Sequence, residues 1–488
     1  MDPSQYSQLF QFFLPEIILL VGALVVVTMD LTFGKIVSLP ARQTLAALGG
    51  ALAVLCAGAA VVMANAPLAG PVFGGAFRVD ALALAARAGV LLLTLLALGA
   101  LTGARPQRHP AEFVAIVLMA ACGLTLMGAA ANLLAAFLSL ELASLSLYIL
   151  AGIEKQTPES SEAGLKYFFA GAVSSAFLLF GFSLLYGISG SLGVPDIAAA
   201  LSQNPPAPLA TVALVMVLVA FGFKAAAAPF HLWAPDAYQG APAPAAALIA
   251  SASKLAGFVF FARLLWPDFT APAPGGAAWL PAAALLSGAS LLLGNIAALA
   301  QRNVRRILAY SAIGHAGVLL LAVSILGSAG AAPLYYYALT YGIATAGAFG
   351  VLAALERKGA PAQNLRDLDG LRRRSPFLAA CLFVFILSLA GIPPLAGFFG
   401  KFYVFAAALS VDALAAPAGR LSLLAIAMSA VALYYYLLIL KHAVVTLPAA
   451  GNDAPVRVPF LVRLSLAIVV LLLVALGLWP QPLLDFLA

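Results

Sequence analysis

Fourteen apolar stretches follow one another along this chain, from 9–31 to 461–479, most of them about as long as a bilayer is thick. A spanning helix needs about 20 such residues. Inside lipid the backbone must satisfy its own N–H and C=O groups, which leaves helices as the form these stretches can take. Of 488 residues, 64% are hydrophobic and 9% charged, where a soluble domain carries about 25% charge; the mean hydropathy is +1.06. The fold class is therefore an all-α polytopic membrane protein with about 14 transmembrane helices. The connections are short and carry Pro, Gly or charge, so none holds a soluble domain.

Two stretches, 208–240 and 376–410, are too long and too interrupted to be single straight helices. In the first, the apolar run Leu209 to Phe223 stops short of a bilayer's thickness and is followed by Lys224, four alanines and Pro229. The second carries Pro393 and Pro394, with Lys401 after them. An amine beside a broken helix at membrane depth is tolerated only against protein or water. Pro229, Pro393 and Pro394 are the expected helix breaks.

Basic residues set the orientation, because lysine and arginine gather in cytoplasmic loops. Seventeen of 25 lie in the odd-numbered connections and their flanks, among them Lys35, Arg42, Arg105, Arg305, Arg306, Arg357, Lys358 and Arg372 to Arg374. The even side has four: Arg78, Arg87, Arg263 and Arg420. Odd loops are expected in the cytoplasm and both termini outside. This topology accounts for the net charge of +7 better than a nucleic-acid partner does. Asp2 and the missing basic n-region argue against a cleaved signal peptide. Cys56, Cys122 and Cys381 lie in separate apolar runs and fall short of the four ligands of an Fe–S cluster, so no cofactor and no metal is expected in this chain.

Four lysines remain, Lys166, Lys224, Lys254 and Lys401, and all fall inside spans. Glu141 lies near the middle of the fifth span and His315 at mid-depth of the tenth. An ionised residue at the bilayer centre costs about 2.5–3.5 kcal/mol on insertion scales. Glu141, Lys224, Lys254 and Lys401 together would cost roughly 10–14 kcal/mol unpaired, comparable to a domain's whole stability. Burial favours the neutral form of an acid or an amine and proximity of the two favours the charged pair, so a Glu141–Lys224 pair could pass a proton on. A purely structural pair that fixes helix register is the alternative. Lys166 lies within about a turn of a span end, where snorkelling also explains it. His315 is either a relay or a satisfied core histidine. His231 and Trp233 read as interfacial or packing residues, Tyr335 to Tyr337 and Tyr434 to Tyr436 as packing, and Glu16 as needing no special role.

A shift of 177 residues carries Lys224 onto Lys401 and one broken span onto the other. That divides the chain into a three-helix segment (1–111), a first five-helix repeat (112–264), a second (280–446) and a C-terminal helix (447–488). Five being odd, the second repeat would insert upside down. Inverted repeats with discontinuous helices recur in transporters, with ion sites near the midplane.

The run Lys224 to Tyr238 followed by Gly240-Ala241-Pro242 resembles the most specific motif of the antiporter-like subunits of proton-pumping NADH:quinone oxidoreductase (respiratory complex I) and of multi-subunit cation/proton antiporters. The resemblance covers nearly the whole chain. Leu14-Pro15-Glu16-Ile17, Phe137 to Glu141, Glu162 to Phe168 and Gln301 to His315 are most similar to subunit N. Lysine at Lys401 argues against subunit M, and the chain is expected to lack the lateral helix of subunit L. The resemblance implies a proton-translocating subunit without a redox centre, in a bacterial inner membrane. FMN, Fe–S clusters and quinone would be held by other subunits, and the partners would be antiporter-like and small quinone-proximal membrane subunits together with lipids. By the same resemblance Glu141 and Lys224 would be a coupled pair, Lys166 its modulator, Lys254 a central connector, His315 a bridging relay and Lys401 the distal lysine. Where the family often has a lysine before the histidine, this chain has Arg305-Arg306. Arginine does not release its proton, so these two are expected to serve topology. A cation/proton antiporter subunit with the same core is the second reading.

Overall fold

The computed structural model describes residues 3–34, 36–203, 208–265, 279–356, 363–410, 417–448 and 454–487. Asp2, Lys35, Arg357 and Lys358, used above, lie outside these residues. Helices α1 (Pro3–Phe33), α2 (Leu39–Ala60) and α3 (Ala81–Leu101) form the first group. They are followed by α4 (Pro110–Met127), α5 (Leu133–Ala151), α6 (Pro158–Ser189), the short α7 (Val194–Gln203), α8 (Pro208–Ala225), α9 (Trp233–Gly240), α10 (Ala243–Ala250) and α11 (Ala252–Leu265). The second half has α12 (Leu280–Leu299), α13 (Val304–Ser324), α14 (Leu326–Ala329), α15 (Ala332–Glu356), α16 (Leu371–Arg374), α17 (Pro376–Ala390), α18 (Ala396–Ser410) and α19 (Pro417–Leu440). Helices α20 (Phe460–Leu478) and α21 (Gln481–Leu487) end the chain. Thirteen helices among the described residues are long and apolar enough to cross a membrane, and α17 with α18 makes up the second broken span.

Helix starts follow local chemistry. Asp80 caps α3 by accepting from the Ala83 N–H at 2.8 Å, Asn132 caps α5 through Leu134 and Asn303 caps α13 through Arg306, each satisfying an N–H that the first turn leaves unpaired. Packing between helices uses small residues, as expected where lipid removes the hydrophobic drive to associate. A Cβ on Gly123 of α4 would sit 2.5 Å from the Ala143 nitrogen of α5, and one on Gly294 of α12 would sit 2.5 Å from the Gly314 nitrogen of α13. The α10–α11 span and α15 are sheathed by protein on all sides, whereas α1 and α2 expose Leu24, Leu31, Leu52 and Leu55.

Alternate connections collect on opposite faces. On the even side a hairpin absent from the sequence reading, β1 (Gly70–Val72) and β2 (Phe77–Val79), pairs antiparallel. Its Ala76 carbonyl accepts from Ala131, and the Arg78 N–H donates to Ala129. On the odd side Val304 N–H donates to the Gln363 carbonyl at 2.7 Å, and Gln43 bonds the Leu101 carbonyl and the Gln107 N–H.

The structure relocates the cause of the first break. Helix α8 ends at Ala225, four residues before Pro229. Ala226 has φ +55°; its N–H donates to Phe223 and that of Ala227 to Gly222, the Schellman closure that normally takes a glycine. The second break repeats this with Gly391 at φ +84°, bonded to Ser388, and Ile392 bonded to Leu387. The prolines then keep the chain from resuming a helix. Break to break, an offset of 165 carries Ala226 onto Gly391 and Pro229 onto Pro394. The offset of 177 that matches Lys224 to Lys401 therefore joins residues on opposite sides of their breaks. A further interruption, missed in the sequence, separates α10 from α11 at Ser251, whose hydroxyl donates back to the Ala247 carbonyl at 2.6 Å; such back-bonding bends helices.

Glu16 and Arg87 also depart from expectation. Each is 3% exposed or less, and the Arg87 guanidinium grips the Glu16 carboxylate at 2.5 Å. Arg87 also donates to Asn65 Oδ1 and the Phe12 carbonyl, and Thr125 donates to Glu16. The pair pins α1 and α3 to each other and to α4, instead of marking span ends.

Candidate functional site

The two half-helix ends organise the site. The last four carbonyls of a helix lack intrahelical partners and carry the negative end of its dipole. At each break a lysine supplies the missing donor. Lys254 Nζ donates to the carbonyl of Ala225, the last residue of α8, at 3.1 Å, and to the carbonyl of Ala312 on α13 at 2.7 Å. Lys401 Nζ donates to the carbonyl of Ala390, the last residue of α17, at 3.1 Å. A Cβ on Gly391 would stand 3.3 Å from that same amine. Lys254 and Lys401 thus hold equivalent stations, while Lys224 lies inside the last turn of α8.

Lys224 Nζ donates to Ser144 Oγ at 3.2 Å, and Glu141, one turn earlier on α5, accepts from Ser175 of α6. No direct ion pair joins Glu141 and Lys224 among the described residues; the Lys224 amine bonds Ser144 instead, three residues along α5 from Glu141. Lys224 is 5% exposed, whereas Glu141 is half-buried beside the exposed Leu138 and Leu145. The lysine's stem runs along Gly257 of α11, where a Cβ would meet its Cγ at 3.3 Å. Gly257 follows Lys254 by three residues, so the Lys224 stem passes within one turn of Lys254 along α11.

His315 is held on both ring nitrogens: Nδ1 lies 2.6 Å from the Tyr337 hydroxyl and Nε2 3.0 Å from that of Tyr436. Tyr436 also bonds Ser311, and the Tyr341 ring packs on the imidazole at 4.7 Å. Tyr337 and Tyr436, read from sequence as packing, form the histidine's polar shell. Tyr335 and Tyr336 turn elsewhere, to the carbonyls of Ala85 and Leu476, and Tyr434 is exposed. A small cavity of about 20 Å³ is lined by both His315 and Lys401. Because Ala312 is one turn from His315 on α13, the structure brings Lys224, Lys254, His315 and Lys401 into one buried succession, with Glu141 at its edge.

Lys166 is not part of it. On the exposed side of α6 it pairs with Glu162 at 2.6 Å and with Asp236 of α9 at 2.7 Å. Asp236 also takes Arg306 from α13 at 2.7 Å. Arg305, expected as a topology residue, is 3% exposed; it pairs with Glu356 and donates to the Gln239 and Ala241 carbonyls at the end of α9. The two arginines therefore tie the short half-helix α9 to the second half of the chain. Trp233 packs as expected: its indole stacks on Tyr167 at 4.1 Å and caps the Phe223 carbonyl.

Residues 130–431 match the family described as NADH:quinone oxidoreductase/Mrp antiporter, TM. Over the full length of both chains, 47% of residues are identical to NADH-quinone oxidoreductase subunit N 2 of Acidobacterium capsulatum. The chain belongs to the subunit N family of NADH:quinone oxidoreductase. Another subunit N relative, from Rhodospirillum rubrum, is 39% identical over 88% of this chain and 86% of its own. Among solved structures, a chain of respiratory complex I from Thermus thermophilus superposes with a TM-score of 0.79 at 34% identity, covering 96% of this chain and 98% of that one. A chain of the Mrp complex from Dietzia sp. matches with a TM-score of 0.77 at 22% identity, covering 96% of each, which is a likeness of fold.

Proposed function

We propose that this subunit N family member translocates protons across a bacterial inner membrane as a non-redox membrane-arm subunit of NADH:quinone oxidoreductase. The observation that carries the reading is the buried succession from Lys224 through Lys254 and His315 to Lys401. Each amine in it is bonded to a neutral carbonyl or hydroxyl rather than to a fixed counter-ion. An amine held this way can be neutral or charged with little rearrangement, as a stepwise carrier requires. Glu141, half-buried and three residues along α5 from the serine that Lys224 bonds, is the group through which events in a neighbouring subunit reach the line. Lys166 modulates it through Asp236, by setting the position of α9.

In this reading the odd connections face the cytoplasm and both termini the periplasm. Residues 112–264 and 280–446 are inverted repeats, preceded by the segment 1–111 and followed by 447–488. FMN, Fe–S clusters and quinone belong to other subunits, and the partners are antiporter-like and small quinone-proximal membrane subunits, with lipid around them. The second reading, a subunit of a sodium/proton antiporter complex, has the fold likeness to the Mrp chain in its favour. The higher identity to subunit N relatives favours the first.

The test is Lys224→Ala and Glu141→Ala in the assembled complex in vesicles. Pumping-coupled turnover is expected to fall at least tenfold with assembly retained. A normal proton yield per NADH from either variant would refute the assignment.

A further inference from the structure

On the face where the odd connections meet, basic residues of the first half stand beside acids: Arg42 pairs with Asp30, and Lys166 with Glu162 and Asp236. The sector built from residues 363–376, 441–448 and 454–463 is different. Backbone bonds join its three segments into one plate, the Gly370 N–H donating to the Thr446 carbonyl and the Val456 N–H to the Arg374 carbonyl. Arg366, Arg372, Arg373, Lys441, Arg457 and Arg463 all stand exposed on it. Among the described residues none of the six side chains enters an ion pair or a hydrogen bond. The two described acids of the plate are engaged elsewhere: Asp369 holds His442 at 2.6 Å, and Asp367 accepts from the Gln363 and Asn364 N–H groups. Topology asks for basic residues on one face. It does not ask that six of them gather in one sector without a facing acid.

Helix α20 continues this surface into the membrane. Phe460, Leu464, Ile468 and Leu471 are exposed, and spacings of four, four and three residues put them on one side of the helix. The stripe starts between Arg457 and Arg463. At 1.5 Å per residue it is about 16 Å long, half the roughly 30 Å of a hydrocarbon core. It is therefore one leaflet deep, with the basic plate at its head. Large side chains at these four positions hold a second backbone away, where close helix packing uses small ones. An acidic polypeptide would suit the plate and leave the stripe uncovered. A lipid with an anionic head suits both.

We propose that the plate and the α20 stripe form a binding site for an anionic phospholipid of the leaflet on that side. Its phosphodiester sits among Arg372, Arg373, Arg457 and Arg463, and its acyl chains lie along Phe460 to Leu471. Guanidinium groups suit this ligand because they present forked N–H donors to phosphate oxygens. The excess of positive charge adds an attraction that a zwitterionic lipid of the same shape does not feel. Such a site is independent of proton translocation.

The test uses the assembled complex in phosphatidylcholine vesicles doped with a phosphatidylglycerol that carries a photoactivatable diazirine on its acyl chain, or with the phosphatidylcholine analogue. Illumination is expected to attach the phosphatidylglycerol probe to residues 454–471 severalfold more than the phosphatidylcholine probe, and excess inorganic phosphate should not compete. Arg372→Gln with Arg457→Gln should abolish the preference while the thermal midpoint shows a folded complex. Arg108→Gln with Lys155→Gln removes the same charge from exposed positions of the same face outside the plate and should leave the preference in place. Equal labelling by the two probes, or an unchanged preference in Arg372→Gln with Arg457→Gln, overturns the site and leaves its charges to topology. Absence of labelling at 454–471 by either probe overturns it too, since another polypeptide then covers the stripe.

Discussion

At the residue scale, the site is a set of titratable groups held by neutral partners. His315 shows how closely this is built, with a tyrosine hydroxyl on each ring nitrogen. Removing one partner leaves a buried nitrogen unsatisfied, at a cost of about 1–3 kcal/mol. Tyr337→Phe is therefore expected to lower coupled turnover severalfold and to leave the complex assembled, measured as NADH-driven proton uptake beside the thermal midpoint. The buried lysines were legible in the sequence because every other basic residue had a place at a loop or span end. The tyrosines were not, since a run of three aromatic residues on a helix is ordinarily packing. The four-residue spacing of Tyr337 and Tyr341 was the one local hint that they share a face.

Helix ends decide the next scale. Two half-helices end in the same six-residue closure, and each offers its terminal carbonyl to a lysine from elsewhere. The prolines announced both breaks, yet the first begins at Ala226, within an alanine run that local propensity reads as helix. A left-handed conformation costs a residue with a Cβ about 1–2 kcal/mol. Ala226→Gly is accordingly expected to stabilise the complex by about 1 kcal/mol, seen as a raised thermal midpoint. Gly391→Ala should do the reverse and also impair turnover, because the new Cβ would meet Lys401 Cδ at 3.1 Å as well as sitting at φ +84°. The Ser251 interruption left no readable mark, as one serine in an apolar run is compatible with a straight helix. What bends the span there is the hydroxyl's bond to Ala247.

For the molecule as a unit, the all-helical membrane fold was written in composition, and the structure has it: thirteen described helices long and apolar enough to cross a membrane, with α17 and α18 as a further broken span. What joins the pieces was not. Glu16 and Arg87 are 71 residues apart and buried together in the N-terminal helices. Arg305 and Arg306 reach from the second half to α9. Long-range pairs of this kind have no local signature, and Arg87 and Arg305 are as compatible with a loop-side position as with burial. Breaking a buried pair from one side costs roughly 3–5 kcal/mol, whereas replacing both members with apolar residues is often nearly neutral. Arg87→Met alone should lower the yield and thermal midpoint of the assembled complex, and adding Glu16→Met should restore most of the loss.

In the proposed function one buried line of amines, running between two broken half-helices, carries the protons. Lys254 is where its strands meet, bonded to the end of α8 and to α13 and facing Tyr341. The most direct measurement is the proton yield per NADH oxidised by vesicles whose complex carries Lys254→Met. An assembled complex whose coupled turnover falls at least tenfold is expected. An assembled complex with wild-type turnover and an unchanged proton yield would contradict it.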